Sequence, residues 1–169
     1  MIVSTLCLPV AGGSQTGDPP DEVLLGFKKA GFGAGKITGF GGKVEPGETV
    51  VGAARRELAE EAGLSAAESD LRPAGHLTFS FPARPSWSQV VHVFLVTSWD
   101  GASVESDEMR PAWFRVDALP FVQMWQDAPH WLPRILAGAR LSDPPAERLD
   151  LTFVFQDDNE SIQTIEERT

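Results

Sequence analysis

The chain has 169 residues, 42% hydrophobic and 22% charged, the make-up of an ordinary globular protein long enough to bury a core without covalent staples. A formal net charge of -10 argues against nonspecific binding to nucleic acid or to an anionic membrane, since both need basic surface. Any polyanionic substrate would need cations to compensate its charge.

In chain order, residues 1–10 form a β-branched apolar run and 22–28 a second, separated by a Gly/Ser/Asp/Pro-rich segment, which predicts two strands joined by a loose hairpin. Gly31, Gly33, Gly35, Gly39, Gly41 and Gly42 crowd residues 31–42, a density that fits a loop whose backbone must approach a ligand or partner. Residues 49–62 favour helix, with Val50, Ala54, Leu58 and Ala62 as its buried stripe and Gly63 as its stop. The polar face of that helix is left for chemistry. Further strands are predicted over 74–81, 89–98 and 111–116, with 151–156 and 161–165 as a closing pair. A second helix is predicted over 127–139, tolerating Pro129 and Pro133, and 141–149 reads as a connector. No repeat or linker is visible, so 1–169 is expected as one domain of α+β or α/β sandwich type.

The first residues carry no basic region of a secretory leader, and no apolar run approaches the roughly 18 residues of a membrane span. Cys7 is the single cysteine and reads as a small core residue, so a reducing cytoplasm is the default compartment. His76, His92 and His130 lack the spacing of a zinc cluster, and His92, inside an apolar run, reads as a hydrogen-bonded core residue.

The chemistry concentrates on the first helix. Glu57, Glu60 and Glu61 share one helical face, where like charges repel unless a divalent cation such as Mg²⁺ or Mn²⁺ turns repulsion into coordination. Arg56 stands one turn before Glu60 and would hold that carboxylate in place. Glu48, just ahead of the helix, would either add a ligand or favour the positive helix end. A lone E-x-x-E-E pattern is most often solvated surface. Here it stands in a longer register: Gly42, five residues, Glu48, seven residues, Arg56-Glu57-Leu58, one residue, Glu60-Glu61, one residue, Gly63-Leu64.

This 23-residue register resembles, without a mismatch, the box of the Nudix hydrolases. The resemblance implies a Nudix fold, a mixed sheet flanked by helices in an α/β/α sandwich, and Mg²⁺-dependent hydrolysis of a nucleoside diphosphate linked to another group. Beyond the box the chain is similar to the branch that sanitises oxidised purine nucleoside triphosphates. The shared stretches are 28–35, 39–44, 91–94, 105–111, Trp113-Phe114, Met124-Trp125 and Trp131, covering most of residues 22 to 135.

By that resemblance Glu57, Glu60 and Glu61 would hold the metal, the Gly41 carbonyl would add a ligand, and Glu108 would approach from a loop as a further ligand or the base. Lys28 would meet a phosphate, and Phe32, Phe79, Phe81, Met109, Trp125 and Trp131 would line the base pocket. Phe79 and Phe81 fit core packing equally well. The branch usually carries Asn where Thr38 stands and Asp-Asp where this chain has Asp127-Ala128, groups that read the base edge by hydrogen bonds.

The leading expectation is therefore a nucleoside triphosphate pyrophosphohydrolase acting on purine and oxidised purine triphosphates in sanitation of the nucleotide pool, releasing monophosphate and pyrophosphate, with monomer and homodimer both open. The departures at Thr38 and Ala128 keep a dinucleoside polyphosphate or nucleotide sugar as an alternative substrate. A non-catalytic nucleotide-binding module is the third reading, and the complete set of box carboxylates counts against it.

Overall fold

Alternation along the strands decides which face each side chain takes. The computed structural model describes residues 1–13, 18–139 and 148–169. Its strands are β1 (Ile2–Ala11), β2 (Glu22–Lys28), β3 (Ile37–Thr38), β4 (Leu71–Ser80), β5 (Gln89–Val96), β6 (Met109–Arg115), β7 (Leu149–Phe155) and β8 (Ile162–Glu167). They form one mixed sheet in the order β3-β2-β1-β5-β4-β7-β8, with β6 paired to β2. Two helices, α1 (Val50–Ala62) and α2 (Ala128–Gly138), pack on opposite faces.

Leu8 and Val10 of β1 share a core with Val93 and Leu95 of β5, Phe153 and Phe155 of β7, and Leu132, Ile135 and Leu136 of α2. Cys7 of β1, Leu24 of β2 and Phe94 and Val96 of β5 turn the other way, onto Ala54, Leu58 and Ala62 of α1. The Cys7 thiol donates to the Ala54 carbonyl at 3.5 Å, and burial pushes it far above its ordinary range, as expected of a core residue. A register shift between Pro73 and Gly75 changes the parity of β4, so Leu71 faces the α1 core while Leu77 faces the α2 core.

The predicted hairpin forms only at its base. β1 and β2 pair at Val10 with Val23 and at Ala11 with Glu22, whereas the long partner of β1 is β5, in parallel from Ile2 to Pro9. Below that base the two strands diverge, and residues 40–44 take the open edge of β1. Cys7 N–H donates to Phe40 O at 2.6 Å, Thr5 N–H to Gly42 O at 2.9 Å and Val44 N–H to Val3 O at 2.9 Å. Gly41 is required there, because a Cβ on it would overlap the Thr5 carbonyl oxygen.

The glycine-rich stretch is thus a loop containing the two-residue β3. β4 and β6 begin earlier than predicted, at Leu71 and Met109, because ladder pairing extends past the apolar run. The closing pair is present as antiparallel β7 and β8. Residues 14–17 of the first loop and 141–147 of the predicted connector lie outside the described residues. His92 is half-buried instead of core, its ring 4.3 Å from that of His76. No helix among the described residues is long and apolar enough to cross a membrane.

The ends of α1 follow the sequence. Thr49 accepts the Gly52 N–H at 3.0 Å, and Gly63 closes the helix at φ 71°, its N–H on the Ala59 carbonyl at 3.0 Å. Within the predicted stripe Ala54, Leu58 and Ala62 are buried, and Val50 is half-buried. Gly63→Ala places a Cβ in the left-handed region and against the Val104 side chain. It should lower stability by about 1–2 kcal/mol, read as a shifted urea midpoint at constant slope; an unchanged midpoint would show that this cap does not limit the fold.

Candidate active site

The α1 face that turns to residues 41–48 carries the carboxylates. Glu61 is only 3% exposed, and its Oε1 accepts the Gly41 N–H at 2.7 Å. Burial pushes its carboxyl up to about 8; the charges of Glu57 and Glu108 add to that effect, and the Gly41 N–H and Lys28 oppose it. Glu57, one turn earlier, is also raised by burial, against the pull of Arg56. Its carboxylate has room because residue 42 is glycine: a Cβ there would run into it.

Arg56 organises this end of the site. Its Nε and Nη2 donate to the two oxygens of Glu48 at 2.9 and 2.8 Å, and Nη1 donates to Glu57 Oε1 at 2.9 Å. The expected contact with Glu60 is longer, 3.4 Å, and Glu60 is exposed. Glu48 also accepts the Glu45 N–H at 3.0 Å, and its hydrogen bonds with Arg56 hold it down to about 2. Its oxygens are committed to clamping Arg56, a role that neither sequence reading of Glu48 named.

Glu108 lies on an exposed loop whose charge reaches both Glu57 and Glu61. The loop is tied down by Lys29 N–H on Glu108 O at 2.7 Å and by Ser106. Ser106 Oγ donates to the main-chain carbonyl of Glu61 at 2.9 Å and accepts the Met109 N–H at 3.1 Å. As they stand, Glu57 turns to Arg56 and Glu61 to Gly41, and among the described residues no three His, Cys, Asp or Glu side chains already converge as a cation cage.

From Glu61 and Gly41 a cleft of about 410 Å³ runs to an aromatic end. Lys28, Thr38, Met109, Asp127, Ala128 and Trp131 line it, and so do the four other aromatic residues expected there: Phe32, Phe79, Phe81 and Trp125. Phe32 stacks on Trp125, ring centroids 5.5 Å apart, and meets Trp87 edge-on at 5.0 Å. Lys36 Nζ stands 4.7 Å from the centre of the Trp125 ring. Phe81 stacks on Phe155 at 4.5 Å and Phe79 on Phe153 at 5.6 Å, so both core and lining roles hold for these two. Asp127 is 5% exposed and accepts the Trp131 Nε1–H at 2.7 Å, while burial holds its carboxyl above the usual range.

Arg56, Glu57, Glu60 and Glu108 stand outside the cleft lining, at its Glu61 end. The sequence reading missed Trp87, Gln89 and Ser106. Strand parity was the available signal for Gln89, which falls in step with Val91 and Val93; a tryptophan in a turn and a lone loop serine carry no such period.

The NUDIX domain model matches residues 12–135, and the chain belongs to the Nudix hydrolases, a family that generally uses divalent metal ions. It is 48% identical over 117 residues to the oxidized purine nucleoside triphosphate hydrolase of Mus musculus, covering 69% of this chain and 73% of that one. It is 50% identical over 121 residues to the protein of the same description from Danio rerio, covering 72% and 76%. Among solved structures, a MutT protein from Bacillus halodurans superposes with a TM-score of 0.74 over 99% of this chain and 97% of that one. At 20% identity that likeness shows the fold.

A carboxyl that titrates near 8 when folded and near 4.5 when unfolded binds a proton preferentially in the folded state across that window. Stability contributed by Glu61 is therefore present at low pH and lost as pH rises toward 8. In chelator-treated protein, the urea midpoint should fall from pH 5 to pH 8 more steeply for the wild type than for Glu61→Gln; equal slopes would contradict the assignment.

Proposed function

We propose that residues 1–169 form one Nudix unit that hydrolyses oxidised purine nucleoside triphosphates to the monophosphate and pyrophosphate, in sanitation of the nucleotide pool. The observation that carries this is the continuity of the buried Glu61–Gly41 pair with an aromatic cleft of nucleobase character, in a chain about half identical to hydrolases of that description. A cytoplasmic place of action fits the single unpaired Cys7.

A divalent cation, Mg²⁺ by preference or Mn²⁺, fits the donor set. Glu57 and Glu61 are oxygen donors whose pKa values are raised by burial and nearby carboxylates, a penalty that a cation relieves. Glu57, Glu60, Glu61, Glu108 and the Gly41 carbonyl would hold it. Bound there, it would neutralise phosphate charge and acidify the attacking water.

The chain's own residues do the rest. Lys28 pairs with a phosphate oxygen, Arg56 fixes the Glu57 carboxylate, and Phe32 and Trp125 stack the base. A carboxylate oxygen of Glu108, on a loop separate from α1, serves as a further ligand or takes the proton from water. Thr38, Asp127 and Trp131 bound the base edge. Thr38 and Ala128 also sustain the second reading, a dinucleoside polyphosphate or nucleotide sugar as substrate.

With Mg²⁺, pyrophosphate release should be fastest from an oxidised purine dNTP in a side-by-side panel of normal and oxidised triphosphates. Release from none of them would end this reading, and faster turnover of dinucleoside polyphosphates or nucleotide sugars would select the other. Glu57→Gln should lower kcat by several orders of magnitude with the circular dichroism spectrum intact; normal turnover would remove Glu57 from the site. Trp125→Ala should raise KM about tenfold, as expected for the loss of one stacking surface, with kcat changing much less.

A further inference from the structure

Among the described residues that line the cleft one side chain carries an amide, and no described residue hydrogen-bonds it. Gln89 opens β5, where its register partners are Phe79 on β4 and Ile2 on β1. Paired residues share a face of the sheet, and all three line the cleft, as does Val91 two residues on. Trp87, two residues before it, is the ring that meets Phe32, and its partner Phe79 is another aromatic of the lining, which associates Gln89 with the aromatic end. It is half-buried, and among the described residues no group hydrogen-bonds it.

A base that fills this end would take water away from the amide. The amide must then pair with the base or lose its hydrogen bonds. Other polar groups lining this region are the Thr38 and Ser86 hydroxyls and the Asp127 carboxyl, whose Oδ2 is already engaged by Trp131. A hydroxyl rotates to suit its partner and a carboxylate only accepts. An amide presents one donor and one acceptor side by side, in a fixed plane.

That pairing separates purines by the edge carrying position 6 and N7. Guanine shows two acceptors there, O6 and N7, and adenine shows a donor and an acceptor. Oxidation at C8 converts N7 into an N–H donor. Oxidised guanine then shows an acceptor beside a donor and fits the amide, while oxidised adenine shows two donors and does not. We propose that Gln89 is a specificity-determining residue that reads this edge, favouring the oxidised form of guanine and the unoxidised form of adenine. The proposal rests on the reading of the cleft as the site of a purine triphosphate.

The test is kcat/KM for dGTP, 8-oxo-dGTP, dATP and 8-oxo-dATP with wild type, Gln89→Leu and Gln89→Glu. The leucine variant should lower both the 8-oxo-dGTP to dGTP ratio and the dATP to 8-oxo-dATP ratio by about tenfold, the scale of one good bidentate contact. The glutamate variant, an acceptor only, should shift the adenine pair toward 8-oxo-dATP. It decides the matter should the leucine variant not fold. Unchanged ratios in active variants overturn the role of Gln89 alone. A wild type that hydrolyses none of the four overturns the functional reading beneath it.

Discussion

The architecture of the site depends on one close approach, the backbone of Gly41 against the Thr5 carbonyl of β1. No side chain fits between them, so residues 40–44 can complete the edge that β2 leaves when it diverges. With the edge completed, the Gly41 N–H reaches the Glu61 carboxylate at 2.7 Å, and the bare α-carbon of Gly42 admits Glu57. Glu61 is thereby held by main chain, while Ala54, Leu58 and Ala62 seat the helix on the sheet.

Burying acids next to one another is unfavourable, and the raised pKa values of Glu57 and Glu61 register it. The protein offsets part of the cost with Arg56, one guanidinium that serves Glu48 and Glu57 together. Glu48 is what keeps that arginine in place. A divalent cation would relieve the same penalty, which links the acidic composition to the proposed chemistry.

Much of this was legible in the sequence because it depends on local spacing. The stop at Gly63, the shared face of Glu57, Glu60 and Glu61, and the apolar stripe of α1 all follow from helical period alone. What stayed hidden depends on partners distant in the chain. The parallel union of β1 with β5, the parity change at Pro73–Gly75, and the preference of Arg56 for Glu48 over Glu60 are set by which segments meet. The site residues divide the same way. Phe32 and Trp125 stand in stretches that carry the family resemblance, whereas Trp87 acquires a place only once β4 and β5 bring their ends to the cleft.

The Ser106 hydroxyl joins parts of the molecule that would otherwise be independent. It holds the carbonyl of Glu61 with one hydrogen bond and the N–H of Met109 with another, and Met109 lies fully buried in the wall of the cleft. Glu108 stands in the same loop, immediately before Met109. The wall of the cleft, the C-terminal end of α1 and the loop that carries Glu108 therefore share one short tether, so a change at Ser106 reaches all three at once.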